Sequence, residues 1–60
     1  NQPEQAIEDL STVIRVDPTN TKALLTRAKI YRERLQGWLA KDDLERACVI
    51  GSVQACEQLP

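Results

Sequence analysis

The feature that most constrains this chain is that it repeats itself. Sliding the sequence along itself until Ala6 falls on Ala40 also places Asp9 on Asp43, Leu10 on Leu44, Val13 on Ala47 and Val16 on Ile50. Two separate segments therefore present the same pattern. The offset, about 34 residues, marks a helix–turn–helix array. In such arrays no unit can bury its apolar face alone, and stacking completes the core. Ala6 and Ala40 matter for their size, since they let a neighbouring helix approach where a Leu would hold it off. The expected fold class is all-α, built of antiparallel helix–turn–helix repeats.

The boundaries follow from local chemistry. Pro18 lacks a backbone N–H and cannot continue the apolar segment before it, and the residue before a proline is pushed out of the helical region. A first helix is thus expected from Pro3 to about Val16. Pro3 suits its first turn and Glu4 its positive end. Its stripe is Ala6, Ile7, Leu10, Val13 and Ile14. Asn20 or Thr21 can accept from the free N–H groups of a second helix, expected over 21–35. Ala23, Leu24, Ala28, Tyr31 and Leu35 recur along it at helical spacing. Gln36 and Gly37 break it. A third helix is expected over 38–50, with Leu39, Ala40, Leu44, Ala47 and Cys48 inward. Gly51 suits its C-terminal cap, and Ser52 the N-cap of a short fourth piece, 53–59, which Pro60 stops. Trp38 and Tyr31 are expected in the core or between helices. Nothing alternates with period two, and no hairpin dipeptide is present.

Sixty residues make one small domain. With one Trp, one Tyr and no Phe, its core is marginal alone, so support is expected from neighbouring sequence, a partner chain or a disulfide. A net charge of -1 gives no electrostatic footprint for nucleic acid or an anionic membrane. There is no membrane-spanning run and no signal-peptide pattern. The chain begins at Asn1 rather than Met, and it is expected to be a piece of a longer protein.

Taken together, Ala6, Ile7, Leu10, Val13, Asp17, Pro18, Asn20, Ala23, Leu24, Ala28, Tyr31, Ala40, Leu44 and Ala47 resemble the tetratricopeptide repeat (TPR) family. The resemblance covers about Pro3 to Ile50. It implies a right-handed α-solenoid fragment: 3–16 as the second helix of one repeat, 21–50 as the next repeat, and 52–59 as the start of a further helix. Arg27 before Ala28, with Asp9 and Asp43 on the flanking helices, resembles a common variant of this family. An ion pair from Arg27 to Asp9 or to Asp43 is expected. There are departures, since the turn glycine usually comes earlier than Gly37 and no second Asp-Pro turn follows Ile50. There, Ala47 to Cys56 resembles the joint between Sel-one-like repeats, close relatives of the TPR family.

Cysteine-rich members of that group bridge consecutive helices at this spacing, which implies a disulfide between Cys48 and Cys56. It would close a loop of nine residues, worth about 2.6 kcal/mol in the chain-entropy model. The alternative is two reduced, buried cysteines acting as small apolar residues. Two thiols without a His cannot complete a zinc shell, so no metal and no cofactor is expected.

In the resembling family the first helices line a concave groove that holds an extended peptide. Carried onto this chain, that side is Lys22, Leu25, Thr26, Lys29, Arg32 and Glu33. Its three cations favour an acidic or carboxylate-bearing ligand. The alternative is a solvated basic face with no ligand. Of the residues needed by the chaperone-binding versions, only Lys22 is suitably placed, and Thr26 stands where Asn or Arg would be.

Carboxylates are frequent, but neighbours such as Asp42 and Asp43 point about 100° apart on a helix and do not form an acid/base pair. The chain has no His, the usual proton carrier, and no phosphate loop or nucleophile elbow. An enzyme is not expected. The expected function is a protein–protein interaction module holding a peptide or helix in its groove. The alternative is a structural segment that self-associates as a homodimer or stacks on neighbouring repeats through the first helix. The expected compartment is the cytoplasm, or the periplasm or extracellular space if Cys48 and Cys56 are bridged.

Overall fold

The computed structural model describes residues 2–59. It is all-helical: α1 (Gln2–Val16), α2 (Thr21–Glu33), α3 (Gly37–Ile50) and α4 (Val53–Gln58). Among the described residues there is no strand. Each helix packs on the next in sequence, most extensively α2 on α3. The result is a thin slab of 30 × 26 × 13 Å. The expected stop at Pro60 lies outside the described residues.

The first turn forms as its chemistry requires. The Asp17 amide donates to the Val13 carbonyl (2.7 Å) and closes α1. The Asp17 carboxylate then accepts from the Thr19 hydroxyl (2.9 Å) and amide (3.3 Å), which turns the chain. Of the two candidates for the next cap, Asn20 takes the role, its Oδ1 accepting from the Ala23 amide at 3.0 Å. Ser52 does the same for α4, accepting from Ala55 at 3.2 Å. Asn20 with Ala23 and Ser52 with Ala55 are thus the same device, used before α2 and again before α4.

The turn between α2 and α3 departs from expectation. α2 ends at Glu33 rather than at 35. The Gln36 amide donates to the Tyr31 carbonyl (2.8 Å) and the Leu35 amide to that of Arg32 (3.0 Å). This is the paired closure of a Schellman motif, which needs a left-handed residue. Leu35 supplies it at φ 62° and is thrown outward, 90% exposed, instead of joining the core stripe. Gly37 comes too late for the role and is instead the first residue of α3. α3 ends with the same closure, but there Gly51 takes the left-handed position, at φ 125°.

The core is made of Ile14, Ala23, Leu24, Ala28, Ala40, Leu44, Ala47 and Ala55. Most of these are alanines, so the helices meet at close range. Leu10, Leu25, Tyr31, Cys48 and Leu59 pack against this core and are partly buried. Trp38, expected in the core or between helices, is 72% exposed. It stands two positions before Ala40, about 200° round the helix, and so faces away from the buried side. α1 is the least covered helix, with Ile14 its one buried residue and Val13 and Val16 exposed.

One substitution in the repeat pattern is covalent. The offset that carries Ala6 onto Ala40 carries Ile14 onto Cys48, and the offset that carries Asn20 onto Ser52 carries Leu24 onto Cys56. Ile14 and Leu24 are both buried where α1 meets α2. In the next unit the corresponding residues are joined as a disulfide, with Cα atoms 4.8 Å apart. Cys48 is half buried and Cys56 exposed, so the pair is not a buried one.

Candidate functional site

Among the described residues, a concave surface lies between α2 and α4. α2 presents one side to it because its opposite side, Ala23, Leu24 and Ala28, is buried. Two open depressions run together here, of about 680 and 390 Å³, and share Leu25, Thr26 and Gln54. Lys22 lies in the first, and Lys29 and Arg32 in the second. Of the six residues expected to line a groove, the structure brings five to one surface. Glu33, the last residue of α2, does not line it.

The groove has a definite chemistry. Leu25 is half buried and forms an apolar floor against the core. The Thr26 hydroxyl donates to the Lys22 carbonyl at 2.8 Å, which keeps it close to its own helix. Lys22, Lys29 and Arg32 are exposed, and among the described residues no carboxylate forms an ion pair with them. The groove therefore carries uncompensated positive charge along one wall.

The other wall is formed by residues outside the six expected to line the groove. Gln54 lies in both depressions and Gln58 in the second. The two carboxamides are at i and i+4 on α4, hence on one face. The signal was this pair beyond Ser52, but its place opposite α2 depends on how the Gly51–Ser52 turn folds the chain back. Each carboxamide can both donate to and accept from a peptide backbone.

A second cluster is structural. Arg27 grips Asp43 with two parallel bonds, Nε to Oδ2 at 2.8 Å and Nη2 to Oδ1 at 2.6 Å. Its Nη1 donates to the Ser11 hydroxyl at 3.0 Å. The guanidinium carbon lies 5.6 Å from the centre of the Tyr31 ring. Asp43 is 1% exposed. The Arg27 pKa is raised, first by the hydrogen bond to Asp43 and then by Coulombic attraction, while burial opposes the shift. Of the two expected partners, Asp43 is the one engaged, and Asp9 stays exposed. Asp42 points elsewhere and reaches Arg46 at 3.4 Å, so the neighbouring carboxylates do not act together.

Among the described residues, no group of three or more His, Cys, Asp or Glu side chains could hold a metal ion, and no helix is long and apolar enough to cross a membrane. No known family model, curated protein or solved structure matches the chain.

Proposed function

We propose that the chain is a protein–protein interaction module of tetratricopeptide-repeat type, a solenoid fragment that holds an extended acidic peptide between α2 and α4. The observation that carries this reading is the groove itself. Lys22, Lys29 and Arg32 stand unpaired along one wall, Leu25 forms the floor, and Gln54 and Gln58 stand opposite. Acidic side chains would meet the cations, and the carboxamides would hold the peptide backbone. The reading is supported further by the duplicated caps, Asn20 before α2 and Ser52 before α4, which fit a second unit beginning at α4. It assigns no catalytic step, since Asp42 and Asp43 are each engaged with a different arginine. It takes no cofactor.

The test is direct binding. A fluorescein-labelled acidic peptide is titrated with the native chain and with a Lys29→Glu, Arg32→Glu variant, at low and high salt. Binding by the native chain that weakens with salt and is lost in the variant supports the reading. Equal binding by both counts against it.

One observation favours a second reading, a structural segment that self-associates. Val13 is 40% exposed and Val16 81% exposed on α1, beside the half-buried Ile7 and Leu10. A second copy could cover this flank. Light scattering across a concentration series separates the two, because a monomer at every concentration disposes of self-association.

A further inference from the structure

One wall of the groove is a short helix joined covalently to its neighbour. α4 spans six residues, and a helix that short does not hold its shape in water by itself, because nucleation is costly and few bonds follow. Its non-covalent anchorage is to α3 and rests on few side chains. Ala55 is its one buried residue, Ser52 caps its start, and Leu59 beyond its end is half buried. The remaining tie is the bond from Cys56 to Cys48 on α3. Cys48 packs against the core as a partly buried residue of α3, whereas the fully buried residues joining α1, α2 and α3 are Ile14, Ala23, Leu24, Ala28, Ala40, Leu44 and Ala47, whose contacts with one another do not involve the bond.

We propose that the Cys48–Cys56 disulfide gates the groove. Oxidised, it holds α4 in place and keeps Gln54 and Gln58 opposite Lys22, Lys29 and Arg32. Reduced, it releases α4, and the groove loses that wall. The inference rests on the reading of this groove as the binding site.

The chemistry is thiol–disulfide exchange with a dithiol reductant. Cys56 is exposed and Cys48 half buried, so the attacking thiolate reaches the Cys56 sulfur. A bond forms between the two sulfurs and the bond to Cys48 breaks. Cys48 leaves as a thiolate and takes up a proton. The second thiol of the reductant then displaces Cys56, which is protonated in turn. Two electrons pass to the chain, which ends with two thiols, and the reductant leaves as its own disulfide.

The probe is fluorescein-labelled heptaglutamate, followed by anisotropy with the oxidised chain, with the dithiol-reduced chain and with a Cys48→Ser, Cys56→Ser variant. Hydrogen exchange is measured on the same samples. The expected result is binding by the oxidised chain that weakens at least about tenfold on reduction, the scale of one or two lost neutral hydrogen bonds. The serine variant should behave like the reduced chain. Gln54→Ala with Gln58→Ala should weaken binding by a similar factor while the disulfide stays intact. The Cys56 and Leu59 amides should lose protection on reduction, and Ala28 of α2 should keep it. Equal binding by oxidised and reduced chain overturns the gate alone, as do α4 amides that stay protected after reduction. Absence of binding by the oxidised chain overturns the groove reading, and the gate with it.

Discussion

Arg27 and Asp43 meet fork to fork between α2 and α3, and the carboxylate of the pair is almost completely shut away from water. A charge buried in this way is tolerable only while its partner stays. Asp43→Asn and Arg27→Ala should each lower stability by about 3 kcal/mol, because each leaves a buried charge or donor set unmatched. That is a large share of what a chain of this length has. Asp9→Asn, at the exposed counterpart one repeat earlier, should stay within about 0.5 kcal/mol. Urea denaturation of the three variants decides, and single losses below about 1 kcal/mol would show the pair to be unimportant.

The same pair sets an expectation for pH. The folded-state pKa of Arg27 is raised. Its contribution is therefore fully present below the unfolded value and is lost only as pH climbs through the folded one. Both lie well above neutrality. Arg27 should thus add no slope to stability between about pH 6 and 10. A change in urea midpoint across that window that disappears in Arg27→Met would contradict this.

Leu35 occupies a left-handed position without the residue type suited to it. Its side chain is almost wholly exposed and contributes little packing. Leu35→Gly should stabilise the chain by about 1 kcal/mol, the left-handed penalty less the entropy glycine adds to the unfolded state. Gly51→Ala should do the reverse at φ 125°, although an added Cβ would meet nothing within 4 Å. The cost there is conformational, about 1–3 kcal/mol. Shifts of thermal midpoint in opposite directions are the expected signature.

The caps offer a local test. Asn20→Ala should cost about 1 kcal/mol, since Ala23 loses its acceptor at the start of α2. Ser52→Ala removes the equivalent bond from α4, where little else nucleates the helix. Amide exchange in Cys56 should then accelerate more than in Ala28.

Removing the disulfide has a predictable cost as well. Cys48→Ala with Cys56→Ala should lower stability by at most about 2.6 kcal/mol, the chain-entropy value for a nine-residue loop, and by less where α4 leaves the folded body. The unreduced native protein should weigh two hydrogens less than the fully reduced form.

Much of the fold was legible because its punctuation is chemical. Pro18 with Asn20, and Gly51 with Ser52, stop one helix and start another by mechanisms that need no tertiary information. What escaped was decided by geometry. Tyr31 and Leu35 have helical spacing, so the pattern runs on to 35, but the Gln36 amide closes the turn on Tyr31 first. Trp38 is apolar, yet its angle from Ala40 turns it to solvent. Asp43 falls at i+3 from Ala40 and at i−4 from Ala47, on the buried side. Asp9 holds the same place relative to Ala6 and Val13, so spacing does not separate the two; what does is that α3 is covered on that side and α1 is not. Along α2 the groove could be read from helical spacing, whereas Gln54 and Gln58 enter it only through the return of α4.

The disulfide has a mechanical consequence. Where Ile14 and Leu24 lie buried, α1 and α2 are held by packing, with the Arg27–Ser11 hydrogen bond alongside, and every one of these ties is non-covalent. At the matching place one unit later, the tie is a sulfur–sulfur link. The slab therefore has one edge joined without a covalent bond and one edge pinned by one, and α4 keeps its bearing for as long as the link stays closed.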